Sequence, residues 1–405
     1  MSNSSIEKNI LHAVDGYQKA LDHKAELEKT GTDYTEQRGK VESTIAKLHP
    51  KRLTLEVAEI IQDTPTTKTF RLVSTGLPLP PFQAGQYINL FVNIDGVETA
   101  RPYAISSAPL SSQRTSSQKG ARGHYDLTVK IVQEGYVTHY LLDRVKVGDQ
   151  FQSTGPMGTF YHNPIFHGND LVFLAGGSGI APAMSMIKHF IKENSTDRGL
   201  SYKFHLIYGN SYVDDVIFDE ELKALEEQHD FLTVTRIISR PPEGYEGRTG
   251  HLKAEVIEEL VGDVSNKMFY VCGPTSFHEF CEAQLQSLNV KSRRVRVECN
   301  GPPKNPETLD GWPKGLAPDA EVSVTIKGQG TFKARVDEPL LNSMERNGFT
   351  TENACRSGEC SLCRCKVTKG KVFNPPEAHL RVTDEQYGWT HSCVAFPTED
   401  LEIIV

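Results

Sequence analysis

Four of the chain's eight cysteines stand between positions 355 and 365. That crowding constrains the fold more than any other feature. A disulfide framework spreads its cysteines along a short secreted chain, so a cluster of this kind in a long chain points to metal ligation in a reducing compartment. The spacing is Cys355-x4-Cys360-x2-Cys363, with Cys393 further on, inside NACRSGECSLCRCKV and HSCVAF. This is the arrangement in which four thiolates hold the two bridged irons of a [2Fe-2S] centre. A structural zinc site is the alternative, but zinc knuckles prefer two separate C-x2-4-C pairs. Gly358 permits a tight loop whose N–H groups turn toward sulfur, with Arg356, Ser357 and Ser361 as polar neighbours. Cys365, two residues past Cys363 on an expected strand, is predicted to face the domain interior. Cys281 and Cys299 likewise read as small buried apolar residues.

The rest of the chain must house and feed such a centre. At 405 residues it exceeds one ordinary core, so two or three domains are expected. A net charge of -8 argues against a nucleic-acid partner. No run of about 18 apolar residues is present to cross a membrane, and the N-terminus lacks the layout of a signal peptide. A cytoplasmic location is therefore expected.

The hydrophobic pattern divides the chain into five parts. Residues 1–50 read as a helical N-terminal extension. Ile6, Ile10, Val14, Tyr17 and Leu21 form a helical stripe over 5–28, a second helix is expected over 36–48, and Glu28–Gly39 is expected to connect them. Residues 51–163 carry short β-rich runs, LTLEVAEII, TFRLVS, QYINLFVN and DLTVKIV, which fit an antiparallel β-barrel. The Ser-rich, basic segment 111–124 interrupts them as an expected exposed loop. Residues 164–298 alternate apolar strands with helical patterns, the mark of a parallel α/β domain. Residues 299–319 hold five prolines and no periodicity, and read as a linker. Residues 320–405 begin with EVSVTIKG and TFKARV, followed by a short helix LLNSMERNG before the cysteines.

Two further motifs suggest ligands. LVFLAGGSGIAPAMSM sets Gly176, Gly177 and Gly179 between an apolar strand and a helix, where glycine lets backbone approach a dinucleotide, and Pro182 suits the helix's first turn. It is not a G-x-G-x-x-G sequence. RPYAISSAP and KIVQEGYVTHYL, at 101–109 and 130–141, supply a guanidinium, an aromatic face and a helix start, groups suited to phosphate and a flat ring.

With these motifs in this order, the chain resembles the ferredoxin-NADP reductase superfamily fused to a C-terminal plant-type [2Fe-2S] ferredoxin domain. It is similar to the phthalate dioxygenase reductase class of oxygenase reductases. The resemblance covers residues 53–405 and implies a multidomain α+β protein: helical extension, flavin-binding β-barrel, parallel α/β nucleotide domain and β-grasp ferredoxin domain. It implies that Arg101 contacts the flavin phosphates, that Pro102 and Tyr103 line the flavin, and that Tyr103 packs on the ring. Ala104 replaces the Ser or Thr that usually hydrogen-bonds near flavin N5. Lys130, Ile131 and Val132 are expected along the ribityl chain, with Gly135, Val137 and Thr138 at the pyrophosphate. FAD is favoured over FMN because a diphosphate needs both anion-binding pieces. Cys272, Gly273 and Pro274, in YVCGPTSF, are expected beside the nicotinamide, and Glu298 near the flavin. Tyr103, Cys272 and Glu298 are the candidate catalytic residues.

NADH is preferred over NADPH because Asp214 and Asp215 follow the second strand with no cation to clasp a 2′-phosphate, although Arg236 and Arg240 leave NADPH open. The implied activity is a relay in which NADH gives hydride to FAD and electrons pass singly through the cluster to a partner protein. The expected acceptor is a terminal oxygenase. The alternatives are another metalloprotein, such as a hybrid-cluster or corrinoid protein, or a carrier module with a degenerate nucleotide site.

Overall fold

The computed structural model describes residues 15–30, 34–48, 52–76, 78–113, 123–133, 135–195, 201–299, 301–303, 305–375 and 378–405. The chain separates into a unit Met1–Pro50 and a unit Lys51–Val405. In the first, helices run over Tyr17–Thr30 and Tyr34–Leu48. Ile6, Ile10 and Val14 of the expected stripe lie outside the described residues. The expected connection Glu28–Gly39 is corrected: only 31–33 separate the helices, and Gly39 is helical. A glycine costs a helix roughly 1 kcal/mol, and the helix-favouring Glu36, Gln37, Arg38 and Lys40 around it outweigh that.

The second unit holds three main sheets. The first contains β1 (Leu53–Thr64), β2 (Thr67–Ser74), β3 (Tyr87–Ile94), β4 (Val97–Ala104), β5 (His124–Lys130) and β6 (Gln150–Ser153), in the order β4-β3-β6-β1-β2-β5 and antiparallel throughout. Its ends meet where Ile105, just past β4, bridges Leu127 on β5, so the sheet curls into a barrel. Alternating residues such as Leu53, Leu55 and Val57, or Leu72, Leu90 and Leu127, fill the interior. Burying each such side chain is worth about 1.5–3 kcal/mol. The Ser-rich segment is corrected in part, because Ser111 and Ser112 are buried. The Ser111 hydroxyl bonds the carbonyls of Ala108 and His124, which fixes the start of the segment. Residues 114–122 lie outside the described residues.

The second sheet contains β7 (Asp170–Gly176), β8 (Lys203–Asn210), β9 (Leu232–Ile238), β10 (Arg248–Thr249), β11 (Met268–Gly273) and β12 (Val295–Cys299), all parallel, in the order β10-β9-β8-β7-β11-β12. Helices Ile180–Asn194, Asp219–Gln228, Ala254–Val261 and Thr275–Ser287 connect them. The chain winds outward from β7 in one direction, then returns to add β11 on the other side. The strand order therefore reverses between β7 and β11. Open parallel sheets bind ligands in the crevice at the carboxyl ends of such neighbouring strands.

The third sheet mixes β13 (Glu321–Ile326), β14 (Gly330–Arg335), β15 (Arg364–Lys369), β17 (Trp389–His391) and β19 (Leu401–Ile404) in the order β14-β13-β19-β15-β17. A small ribbon pairs β16 (Val372–Phe373) with β18 (Phe396–Pro397). Helix Leu340–Arg346 packs Leu340 and Met344 onto the sheet. This is the expected multidomain α+β arrangement with a β-grasp ferredoxin domain. Within 299–319, Trp312 packs edge-on against Phe373 at 5.3 Å, so that part of the segment is seated on the third domain.

Candidate functional site

The cysteine loop folds around its own sulfurs. Arg356, Gly358 and Ser361 all take positive φ (55°, 82° and 58°), which bends the backbone so that successive N–H groups point inward. For the two non-glycine residues this conformation is uncommon and marks a constrained loop. The Ser357 and Cys360 amides donate to Cys355 Sγ at 3.4 and 3.3 Å. Cys355 Sγ also meets the sulfurs of Cys360 and Cys393, and Cys363 meets Cys393, so the four thiols form one connected group. None is in a disulfide; Cys355, Cys363 and Cys393 are buried and Cys360 is exposed. Four convergent thiols with inward amide donors fit a [2Fe-2S] cluster, which asks only two thiolates of each iron. Cys365 packs in the β-grasp core and Cys281 in the α/β core, while the Cys299 side chain lies outside the described residues.

The RPYA segment is the end of β4. Tyr103 packs on the barrel interior, and its hydroxyl is buried without a hydrogen-bond partner among the described residues. Burial pushes the phenol pKa up, so Tyr103 stays protonated with a donor to offer. That orphan hydroxyl fits a polar ligand such as a flavin. Arg101 Nη1 donates to the Thr99 hydroxyl at 2.6 Å and to the Ala100 carbonyl at 2.8 Å. Burial foremost, and then the nearby Arg356, lower its pKa to about 10, so it remains cationic at neutral pH. Ala104 pairs with Tyr87 on β3. Burial, and then the Cys355 and Cys360 sulfurs, raise the Tyr87 phenol pKa, so the cluster loop lies close to this strand pair.

The second expected flavin piece begins with a residue that also contacts the α/β domain. Lys130 Nζ is ion-paired with Asp215 Oδ2 at 2.5 Å, which joins the barrel to the α/β domain. Asp215 also accepts from the hydroxyls of Thr64 and Thr66 at 2.7 and 2.6 Å. Burial raises the Asp215 pKa, but the hydrogen bonds from Lys130, Thr66 and Thr64 outweigh it and hold the carboxyl below its usual range. Asp215 is thus engaged between domains. Val137 is in the barrel core, and the Thr138 hydroxyl bonds the Gly135 carbonyl at 3.0 Å. Gly135 precedes helix Tyr136–Arg144, and its amide donates to the Val132 carbonyl at 2.8 Å.

The nucleotide motif sits where the sheet order reverses. Gly176 ends β7, and a turn over Gly177–Gly179 leads into helix Ile180–Asn194, whose first turn holds Pro182. Gly177 has φ 53° and Gly179 lies against β11: a Cβ on Gly179 would meet the Cys272 carbonyl oxygen at 2.0 Å. No other residue fits there. Cys272 and Gly273 end β11, Pro274 opens the following helix, and Cys272 pairs in register with Glu298 on β12. Burial foremost, then Glu359 and the Cys355 sulfur, raise the Glu298 pKa to about 8.

Three family matches cover these regions: an oxidoreductase FAD-binding domain over 53–162, an oxidoreductase NAD-binding domain over 173–283 and a 2Fe-2S iron-sulfur cluster binding domain over 324–398. The chain thus carries an oxidoreductase FAD-binding domain, an oxidoreductase NAD-binding domain and a 2Fe-2S cluster binding domain, the set of an NAD(P)H-linked oxidoreductase. It is 28% identical over 359 residues to the glycine betaine monooxygenase reductase subunit of Pseudomonas aeruginosa, covering 85% of this chain and 93% of that one. It is 25% identical over 369 residues to the ferredoxin reductase component of 3-ketosteroid-9-alpha-monooxygenase from Rhodococcus rhodochrous, with coverages of 88% and 98%. Phthalate dioxygenase reductase shares the fold, with a TM-score of 0.63 at 21% identity, over 87% of this chain and 98% of that one. Among the described residues no helix is long and apolar enough to cross a membrane.

Sequence reasoning missed Thr99 and Glu345. Thr99 lies two positions before Arg101 and so on the same face of β4, which the period of a strand would have flagged. Glu345 sits one turn after the buried Leu341, on the inner face of a short helix.

Proposed function

We propose that this chain is the reductase component of an oxygenase system, taking electrons from NADH and delivering them to a terminal oxygenase. The observation that carries this reading is the place of β4. It lies beside the cluster loop: Arg356, next to Cys355, donates to the Thr99 hydroxyl of β4 at 3.3 Å, and Asn89 on β3 donates to the Asn353 carbonyl at 2.9 Å. The same barrel is joined through Lys130 and Asp215 to the domain whose β7–β11 crevice suits a dinucleotide. We assign flavin binding to 51–163, nucleotide binding to 164–298 and the cluster to 320–405, with 299–319 between them.

In this reading Arg101 holds flavin phosphate, and Pro102, Tyr103 and Ala104 line the ring. The start of helix Tyr136–Arg144 at Gly135 presents backbone N–H groups to the diphosphate. Gly176, Gly177 and Gly179 let the nicotinamide nucleotide lie against the crevice, with Cys272, Gly273 and Pro274 shaping the far wall. Glu298 stands on β12 beside that wall, in register with Cys272. Cys355, Cys360, Cys363 and Cys393 hold the irons, and the exposed Cys360 marks the edge nearest an approaching acceptor. When bound, FAD supplies the conversion between two-electron and one-electron transfer, and the cluster supplies a one-electron store.

The test is to mix the purified chain with candidate oxygenases and compare NADH with NADPH side by side. NADH-dependent oxygen uptake that needs both proteins is expected. An acceptor reduced with no oxygen consumed would overturn the oxygenase assignment.

A further inference from the structure

Hydride entry and single-electron exit do not balance without a proton. NADH yields NAD+, two electrons and one proton, and on the reading above both electrons leave through the cluster one at a time. A proton for every NADH therefore stays behind at the flavin and must reach solvent. Hydrogen bonds on the outer face of the barrel supply a route.

A row of side-chain oxygens runs from β1 across β2 and β5 to the end of β4. Asp63 on β1 accepts from the Thr69 hydroxyl on β2 at 2.7 Å. Thr69 meets the Thr128 hydroxyl on β5 at 2.8 Å, and Thr128 meets the Ser106 hydroxyl, just past β4, at 2.9 Å. Thr69, Thr128 and Ser106 are buried, whereas Asp63 is half-buried and reaches solvent. Each hydroxyl has one hydrogen to give. Thr69 gives its hydrogen to Asp63, so Thr128 must donate to Thr69, and Ser106 to Thr128. The row then has a single polarity, with every O–H aimed toward the carboxylate. Ser106 Oγ also lies 3.1 Å from the Asp126 carbonyl, but that oxygen already accepts the Ser106 amide at 2.8 Å, which frees the hydroxyl for the row.

The inner end of the row lies next to the flavin motif. Ile105 faces the barrel core, so Ala104 and Ser106 on either side of it share the outer face, about 6.6 Å apart along the strand. Ala104 carries no hydroxyl, so Ser106 is the first one on that face. At the outer end, Lys188 and Glu221 are paired with each other at 2.9 Å, and Asp126 with Arg71 at 2.9 Å. Among the described residues Asp63 has no ion-pair partner. Burial foremost raises its pKa against the Thr69 hydrogen bond; of the charges in reach, Glu221 and Asp126 raise it and Lys188 lowers it. Such a carboxyl takes up a proton more readily than an exposed one.

We propose that Ser106, Thr128, Thr69 and Asp63 form a proton exit from the flavin edge at Ala104 to solvent. This rests on the placement of the flavin at Ala104. In one passage the Ser106 oxygen takes the proton left on the flavin while its own hydrogen moves to Thr128. Thr128 passes its hydrogen to Thr69, and Thr69 passes its hydrogen to Asp63. Every hydroxyl ends with one hydrogen, and the Asp63 carboxylate ends as the neutral acid. Asp63 then releases the proton to water, and the hydroxyls rotate back.

The rival account is that the row only packs the barrel surface and the proton leaves through water in the crevice. Thr128→Val removes the middle hydroxyl at nearly constant shape, Thr128→Ser restores it, and Asp63→Asn removes the terminal base. The chain loaded with FAD and cluster and reduced by NADH is mixed with excess ferricyanide in weakly buffered solution, and a pH dye reports proton release. Release should slow about tenfold or more in Thr128→Val and in Asp63→Asn, and recover in Thr128→Ser. A second readout needs no flavin: in the flavin-free full-length chain, carbon-13 resonances of the Asp63 carboxyl and Ser106 Cβ are followed through a pH titration. Protonating Asp63 reverses the row, so Ser106 Cβ should shift with Asp63 in the parent and in Thr128→Ser, and stay still in Thr128→Val. Proton release in Thr128→Val as fast as in the parent would overturn the exit, as would a Ser106 resonance in the parent that ignores Asp63. A parent chain that takes up no FAD would overturn the flavin placement itself, and the exit with it.

Discussion

On one side of the flavin barrel Asp215 meets one ammonium and two hydroxyl groups; on the other Glu345 meets two guanidinium groups and one hydroxyl. The first seam is balanced, one charge against one, and is complete without a ligand. The second sets two guanidinium groups against one buried carboxylate, with the Arg101 side chain still 29% exposed. A buried ion pair is a poor predictor of stability by itself.

The comparison breaks most severely where electrons leave. Replacing Cys360 with Ser should abolish reduction of the protein acceptor while direct reduction of ferricyanide by the flavin survives. Equal loss of both activities would contradict transfer in series. At the balanced seam, Asp215→Asn removes the partner of Lys130. The pair is neither fully buried nor fully exposed, so a loss of roughly 1–2 kcal/mol in urea unfolding is expected. That loss should be the same with and without FAD, and a loss that depends on flavin would erase the distinction between the seams.

A comparable effect is expected from acid at the same side of the barrel. His162 Nδ1 lies 3.2 Å from the Tyr270 hydroxyl, which His167 Nδ1 meets at 2.8 Å. Burial, and then His167 and His189, lower the His162 pKa to about 4. Between that value and the ordinary histidine value the unfolded chain binds a proton that the folded chain refuses. The stabilisation is therefore complete above about pH 6.5 and is lost as the pH falls toward 4. After allowance for solvent the loss amounts to about 2 kcal/mol. His162→Gln should flatten the dependence in urea melts at pH 7.5 and 5 (chosen to bracket this window at about pH 6.5), and an unchanged slope would refute the assignment.

What could be read from the sequence follows distance along the chain. The four convergent cysteines were legible as a group because three of them sit in one loop, and the Gly176–Gly179 turn because a strand, a turn and a helix follow one another directly. Asp215 was visible as an acidic residue after the second strand, but its partners were not: Thr64 lies 151 positions away. The junction around Thr99 is less local still, with Thr99 and Glu345 separated by 246 residues and Thr99 and Arg356 by 257. No local pattern encodes such pairs, which exist only once three domains have folded and met. The misplaced connection at Glu28–Gly39 had the reverse cause, since a local glycine signal was overruled by its helix-forming neighbours.

The most direct test of electron flow in series is anaerobic stopped-flow mixing of the purified chain with NADH, followed at the flavin and cluster absorbance bands. The flavin band should bleach first and the cluster band after it, with the second phase missing in Cys360→Ser. A flavin band that does not bleach, or a cluster reduced by NADH in chain stripped of FAD, would contradict the account.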